Sequence, residues 1–350
     1  MNPDLQKLMA QAARLTQGGQ LAEATTLLRS WMGGGLGTVP GMPQDGAQDA
    51  DVIDVTARRV DAPEQEPTRQ EGGFTAHSFA GTADRRDYKL FLPAGAGAAG
   101  PMPLLVMLHG CTQNPDDFAA GTRMNQLAQA RGWAVLYPAQ SRKANPHGCW
   151  NWFKHTHQTR ERGEPALIAG MVEQVMVNHR IDPQRIYVAG LSAGGAMAAI
   201  LGETHPDLFA AVGVHSGLAA GAARDLSSAM AAMQTGAPAP RGNGQGSGMP
   251  TIVFHGEADS TVNVANARAV VAASVGAAAA GHGEASSVQG TRGARREVFR
   301  AADGSVRAEL WLVHGAPHAW SGGGPGSYTD PQGPDASAEM LRFFAAQRLR

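Results

Sequence analysis

The chain is poor in cysteine, in aromatic residues and in excess charge, and each shortage excludes something. Two cysteines in 350 residues rule out a disulfide-dense scaffold and a four-cysteine zinc site. Lys plus Arg is 29 against 30 for Asp plus Glu, and no basic run stands out. A chain so balanced carries no electrostatic footprint for a polyanion, so nucleic acid is not expected as a partner. Aromatic residues are only 6% of the chain, and from Gly33 to Gly73 there is no Phe, Trp or Tyr. No segment approaches the ~18 consecutive apolar residues of a membrane helix. The first ten residues, Met1 to Ala10, lack the continuous apolar core of a signal peptide. The location expected from this is cytoplasmic, with an extracellular one as the alternative.

Glycine is what the chain has in abundance. Gly 45 and Pro 21 together make about 19% of the residues, against ~12% in average usage. Hydrophobic residues still reach 43%, enough for a large core. The apolar positions between 4 and 29 recur at helical spacing and are interrupted at Gly18-Gly19. Residues 1–32 are therefore expected to form a helical hairpin, packing on its own chain or serving as a docking or dimerising element. Residues 33–73 are rich in Gly, Pro, Asp, Gln and Glu, a composition that buries too little apolar surface to offset its ordering entropy. They read as a disordered linker ahead of a catalytic domain at 74–350.

In that domain short apolar runs alternate with helical patterns. Strands are expected at 75–79, 88–92, 104–108, 133–137, 185–189, 210–214, 251–254 and 308–313. Helices are expected around 124–130, 166–179, 193–203 and 337–347. This alternation predicts an α/β fold with a mostly parallel sheet covered by helices on both faces. The small-residue stretches 217–248 and 276–293 read as surface insertions.

The chemistry concentrates after strand ends. Gly190-Leu-Ser192-Ala-Gly194 lies between a strand and an Ala-rich helix, the context in which G-x-S-x-G forms a nucleophile elbow. Serine needs a base, and the base needs an acid to fix its tautomer. Asp259 follows the strand 251–254 in His255-Gly-Glu-Ala-Asp259, and His318 follows the strand 308–313 in His314-Gly-Ala-Pro-His318. Glu257 and His314 are the alternatives, each nearer its strand end; His205, His215 and His255 read as structural. The oxyanion formed in acyl transfer needs backbone donors. The amide of Ala193 is one candidate and that of Cys111, after the strand 104–108, is the other. Trp150, Trp152 and Trp320 are the candidate walls for substrate.

These motifs resemble the esterases of the polyhydroxybutyrate (PHB) depolymerase type, in the α/β-hydrolase superfamily. The matching stretches are Leu108-His-Gly-Cys-Thr-Gln113, Cys149-Trp-Asn-Trp-Phe153, Gly190-Leu-Ser-Ala-Gly-Gly195 and His318-Ala-Trp-Ser-Gly-Gly323, with Ser327-Tyr-Thr-Asp-Pro331 and Gly333-Pro-Asp-Ala-Ser337 beyond them. The resemblance implies a Ser192, Asp259, His318 triad, an oxyanion hole at Cys111 and Ala193, and hydrolysis of short-chain polyhydroxyalkanoates or of feruloyl and acetyl-xylan esters. It implies no metal and no cofactor. Cys111 and Cys149 both stand in these motifs and could pair as a disulfide or remain reduced thiols. Soluble oligomers or small esters are the expected substrates. A serine peptidase on the same fold and a non-enzymatic granule- or partner-binding module are the competing readings.

Overall fold

The computed structural model describes residues 73–81, 85–237 and 246–349. The expected helical hairpin at 1–32 and linker at 33–73 lie outside the described residues, save Gly73 at the linker's end.

Strands β1 (Gly73–Ala80), β2 (Arg85–Leu92), β3 (Met102–Leu108), β4 (Ala134–Pro138), β5 (Ile181–Leu191), β6 (Ala211–His215), β7 (Thr251–Gly256), β8 (Glu284–Val288), β9 (Ala294–Arg300) and β10 (Val306–Val313) form one ten-stranded sheet. Their spatial order is β1-β2-β4-β3-β5-β6-β7-β10-β9-β8. The six strands from β4 to β10 in that order are parallel, and antiparallel pairs close both edges. Seven helices cover the described sheet: α1 (Pro115–Thr122), α2 (Met124–Arg131), α3 (Gly163–Asn178), α4 (Ala193–Thr204), α5 (Leu226–Thr235), α6 (Ala265–Val275) and α7 (Ala336–Ala345).

β3 shows why a continuous apolar run is needed here. Every residue of Met102–Leu108 is buried, and successive side chains point to opposite faces. Leu104, Val106 and Leu108 enter one core with Ile168, Val172 and Val175 of α3 and Met197 and Leu201 of α4. Leu105 and Met107 enter the other, with Phe118 of α1, Met124 of α2 and Phe343 and Phe344 of α7. A strand buried on both faces has no polar side to alternate with.

Two expectations need correction at the insertions. Residues 284–288 are not a surface excursion but the edge strand β8, paired antiparallel with β9. Its sequence, Glu-Ala-Ser-Ser-Val, is exposed at four of five positions and carries no apolar period, so nothing in it announces a strand. The 217–248 stretch contains α5, started by Asp225, whose carboxylate accepts from the Ser228 amide at 2.8 Å while Ser228 Oγ accepts from the Asp225 amide.

Because β3, β5, β6, β7 and β10 all run the same way, the loops after their C-terminal ends gather on one edge of the sheet. That edge is where ligands bind in open α/β sheets. All the expected catalytic residues lie in those loops.

Candidate active site

The turn at Ser192 is built by its glycines. A Cβ on Gly190 would lie 2.4 Å from the Gly194 carbonyl, and one on Gly194 would lie 2.0 Å from the Leu108 carbonyl oxygen of β3. Only hydrogen fits at either place. Ser192 itself has φ 58° and ψ −119°, a conformation that L residues avoid and that clusters at functional sites. Its amide donates to the His215 carbonyl at 2.8 Å, which ties the turn to the end of β6. Half-buried Ser192 thus presents its side chain at the N-terminus of α4, where free amides favour negative charge.

The structure brings Asp259 and His318 together. His318 Nδ1 donates to Asp259 Oδ2 at 2.7 Å, with the two side chains 7% and 0% exposed. Asp259 Oδ1 accepts the amides of Thr261 and Val262, each at 2.9 Å. Burial opposes the carboxylate's charge, but hydrogen bonds from His255 and His318 outweigh it, and the carboxyl is held well below its ordinary range. With Nδ1 spent on Asp259, His318 Nε2 is the nitrogen left to take a proton. Close passage of the chain makes the meeting possible: a Cβ on Gly256 would lie 2.2 Å from the Ala316 carbonyl oxygen, so the loop after β10 lies directly on the end of β7. No hydrogen bond joins Ser192 Oγ to His318 among the described residues, and catalytic contacts of this kind often tighten only with substrate bound. The alternatives, Glu257 and His314, pair with each other instead at 3.0 Å on the surface.

The loop after β3 is braced from several sides. Gln140 donates its amide to His109 Nε2 at 3.2 Å, so the His109 hydrogen sits on Nδ1 and goes to the Gly110 carbonyl at 2.8 Å. Trp150 Nε1 donates to the His109 carbonyl at 3.0 Å. The Gly110 amide is taken by Gln113 Oε1 and the Thr112 amide by the His147 carbonyl. Between them, the Cys111 amide has no acceptor among the described residues, as a donor kept for an oxyanion requires. Cys111 and Cys149 are joined as a disulfide with their Cα atoms 4.2 Å apart, which staples this loop to the 141–152 segment.

Sequence reasoning missed what holds that second segment. Glu164 is 1% exposed at the start of α3; it accepts from the Asn151 amide and Asn151 Nδ2, both at 2.7 Å, and from Gln140 Nε2. Gln140 Nε2 also reaches the Cys149 carbonyl at 2.8 Å. Burial works against the Glu164 charge, but bonds and charge from His157 with the Gln140 and Asn151 donors more than compensate, and its carboxyl is lowered. A lone Glu in a first helical turn looks like an ordinary dipole partner, so nothing in the sequence marks it as a strut.

The three tryptophans need a correction. Trp150, Trp152 and Trp320 are 2%, 5% and 1% exposed, too little to wall an open substrate site. Trp150 supports His109. Trp152 packs edge-on to Phe153, with ring centroids 5.9 Å apart. Trp320 stacks on His215 and donates Nε1 to Ser337 Oγ at 3.0 Å. An aromatic cluster in sequence does not tell which way its rings face.

His109 supplies a pH prediction. Burial, against the opposing Gly110 bond and Asp117 charge, lowers its pKa from 6.5 to about 4. The unfolded chain therefore takes up this proton first, so stability present above about 6.5 drains away as pH falls towards 4. The loss should reach about 3 kcal/mol by pH 4. Urea midpoints at pH 7, 5.5 and 4 should drop more steeply for the unaltered protein than for His109→Asn; parallel slopes would refute it.

Known proteins resemble this chain in sequence and in fold. The family model for Esterase PHB depolymerase matches residues 86–299, more than half of the chain. The chain belongs to the PHB depolymerase esterase family. It is 32% identical over 244 residues to a poly(3-hydroxyalkanoate) depolymerase C from Paucimonas lemoignei, spanning 66% of this chain and 58% of that one. A poly(3-hydroxybutyrate) depolymerase from Ralstonia pickettii is 28% identical over 270 residues, 72% of this chain and 55% of that one. The chain thus spans a little over half the length of these depolymerases. An acetyl xylan esterase structure from Aspergillus awamori superposes with a TM-score of 0.59 at 19% identity, covering 78% of this chain and 99% of that one, which supports the α/β-hydrolase fold. Among the described residues no helix is long and apolar enough to cross a membrane, and no group of three or more His, Cys, Asp or Glu is placed to hold a metal ion.

Proposed function

We propose that this member of the PHB depolymerase esterases is a serine hydrolase of carboxylic esters working through an acyl-enzyme. The observation that carries the reading is the His318–Asp259 pair, placed on the same sheet edge as the elbow serine and the unpaired Cys111 amide. Ser192 Oγ attacks the ester carbonyl as His318 Nε2 takes its proton. The amides of Cys111 and Ala193 receive the oxyanion. His318 then returns the proton to the departing alcohol, and a water activated by the same nitrogen releases the acid. Asp259 holds the ring in the tautomer this requires.

The relatives named as poly(3-hydroxyalkanoate) and poly(3-hydroxybutyrate) depolymerases favour hydroxybutyrate oligomers or related short-chain esters as this chain's substrates. A second reading, feruloyl or acetyl-xylan esters, draws on a feruloyl esterase B from Thermothelomyces thermophilus, 34% identical over 128 residues, and an acetylxylan esterase from Coprinopsis cinerea, 37% identical over 120 residues, which span 36% and 34% of this chain. The Cys111–Cys149 bond favours an oxidising, extracellular setting over the cytoplasm, because disulfides persist poorly among reducing thiols.

The test is a panel of 4-nitrophenyl butyrate, hydroxybutyrate oligomers, feruloyl esters and acetyl-xylan, with a fluorophosphonate probe beside it. Ester turnover and labelling at Ser192 are expected. A peptide substrate cleaved in preference to every ester would turn the assignment to a peptidase. Absence of both labelling and turnover would leave a binding protein.

A further inference from the structure

His255 is buried beside the proposed triad and takes no part in the steps above. It stands near the end of β7, four residues before Asp259, with its side chain fully buried. Its Nε2 lies 2.8 Å from the Val262 carbonyl oxygen and 3.4 Å from Asp259 Oδ2. A carbonyl can only accept, so Nε2 carries a hydrogen, which goes to that oxygen and lies beside the carboxylate. Nδ1 is buried with no hydrogen-bond partner. Unpartnered buried nitrogens are uncommon because they lose water and gain nothing. An apolar side chain would avoid that loss. What the imidazole adds at this position is an Nε2–H that is bonded to the Val262 carbonyl and stands 3.4 Å from Asp259 Oδ2.

We infer that His255 is a positioning residue for the reaction, the second donor on Asp259 Oδ2 that steadies the carboxylate against His318. The Thr261 and Val262 amides hold Asp259 Oδ1, while His318 Nδ1 bonds Oδ2 at 2.7 Å and His255 Nε2 stands 3.4 Å from that same oxygen. The titratable groups facing His255 are Asp259 on its own loop, His318 from the loop after β10 and His215 from β6. His215 is closed off from exchange with them. It accepts the Ser321 amide on Nε2 at 2.9 Å, which leaves its hydrogen on Nδ1 for Ser216 Oγ at 3.2 Å. Burial, assisted by the neighbouring histidines, pushes its pKa well down.

Removing the His255 donor concentrates the Asp259 charge on the His318 Nδ1–H, which favours the imidazolium. It also frees the carboxylate to rotate. The inference rests on the esterase reading, so the experiment separates the two. The pH dependence of kcat/KM for 4-nitrophenyl butyrate is measured for the unaltered protein and for His255→Leu and His255→Gln; the glutamine amide reaches as many bonds from the backbone as Nε2 does. His255→Leu should raise the acid limb by about half a pH unit, a threefold change in proton affinity. It should also lower kcat about tenfold, with KM within about twofold. His255→Gln should bring the acid limb back to its original position. If the leucine variant does not fold, His255→Asn takes its place, being one bond too short to reach. An unmoved acid limb in a folded variant without the donor overturns the inference, as does an equal shift with glutamine. Lack of turnover in the unaltered protein refutes the esterase reading itself.

Discussion

Replacing Ser192 by alanine should lower ester turnover by roughly four orders of magnitude or more while leaving the protein folded. The two halves of that expectation have separate grounds. Ser192 Oγ has no hydrogen bond to another described residue that its loss would orphan, and the turn around it is shaped by Gly190, Gly194 and the backbone bond to His215. Alanine also shares the Cβ that already tolerates φ 58°. Catalysis, by contrast, loses its only attacking atom in the proposed mechanism. The remaining amides of Cys111 and Ala193 could still polarise a bound carbonyl, so a small residual rate over the uncatalysed reaction is expected. Turnover of 4-nitrophenyl butyrate, read beside circular dichroism, decides it. A folded Ser192→Ala protein with undiminished turnover would remove this serine from the chemistry.

The second large effect is on stability. Gly194→Ala puts a methyl group 2.0 Å from the Leu108 carbonyl oxygen and 2.6 Å from its carbon. Both obstacles are backbone of β3, a strand hydrogen-bonded on either side and buried on both faces, so neither can step aside as a flexible side chain would. Relief requires α4 to move off the sheet, and a cost of at least about 4 kcal/mol is expected, among the largest for a single substitution. The control is Gly281→Ala, where a Cβ meets nothing within 4 Å. That change should stay within about 0.5 kcal/mol. Urea unfolding midpoints for the two variants test the contrast, and a Gly194→Ala protein as stable as its parent would show that the turn is not the tight element described.

Both predictions rest on a turn whose shape is legible in the amino-acid sequence, and the reason is locality. The steric demands of G-x-S-x-G are met within five residues and the strand ahead of it, so sequence alone carries them. Asp259 and His318 are legible for a related reason: each follows an apolar strand, and parallel strands deliver their next loops to one edge. The parts that escape depend on distant partners. β8 is a strand only because β9 offers it an edge. Glu164 is a buried strut only because Gln140 and Asn151 converge on it from another segment. The tryptophans at 150, 152 and 320 are legible as aromatic but not as buried, since burial belongs to the ring's neighbours. The disulfide comes into view through family resemblance, and its two cysteines, 38 residues apart, carry no local mark of pairing.

A knot of hydrogen bonds on the edge that carries the proposed triad bears on how a substrate would be received. Asp117 in α1 accepts from Gln113 Nε2 at 3.0 Å and from the Ser327 amide at 2.9 Å, and Gln113 Nε2 also reaches the Ser327 carbonyl at 3.0 Å. Tyr328 then contacts Thr112 Oγ1 through its hydroxyl at 3.1 Å, one residue from the Cys111 amide. Arg123 adds bonds to the Gly322 carbonyl and to Asp335. The stretch that follows His318 is therefore tied to the loop that carries the unpaired Cys111 amide. Under the proposed esterase reading, loops held by bonds of their own would divert less of an arriving ester's binding free energy into ordering the protein.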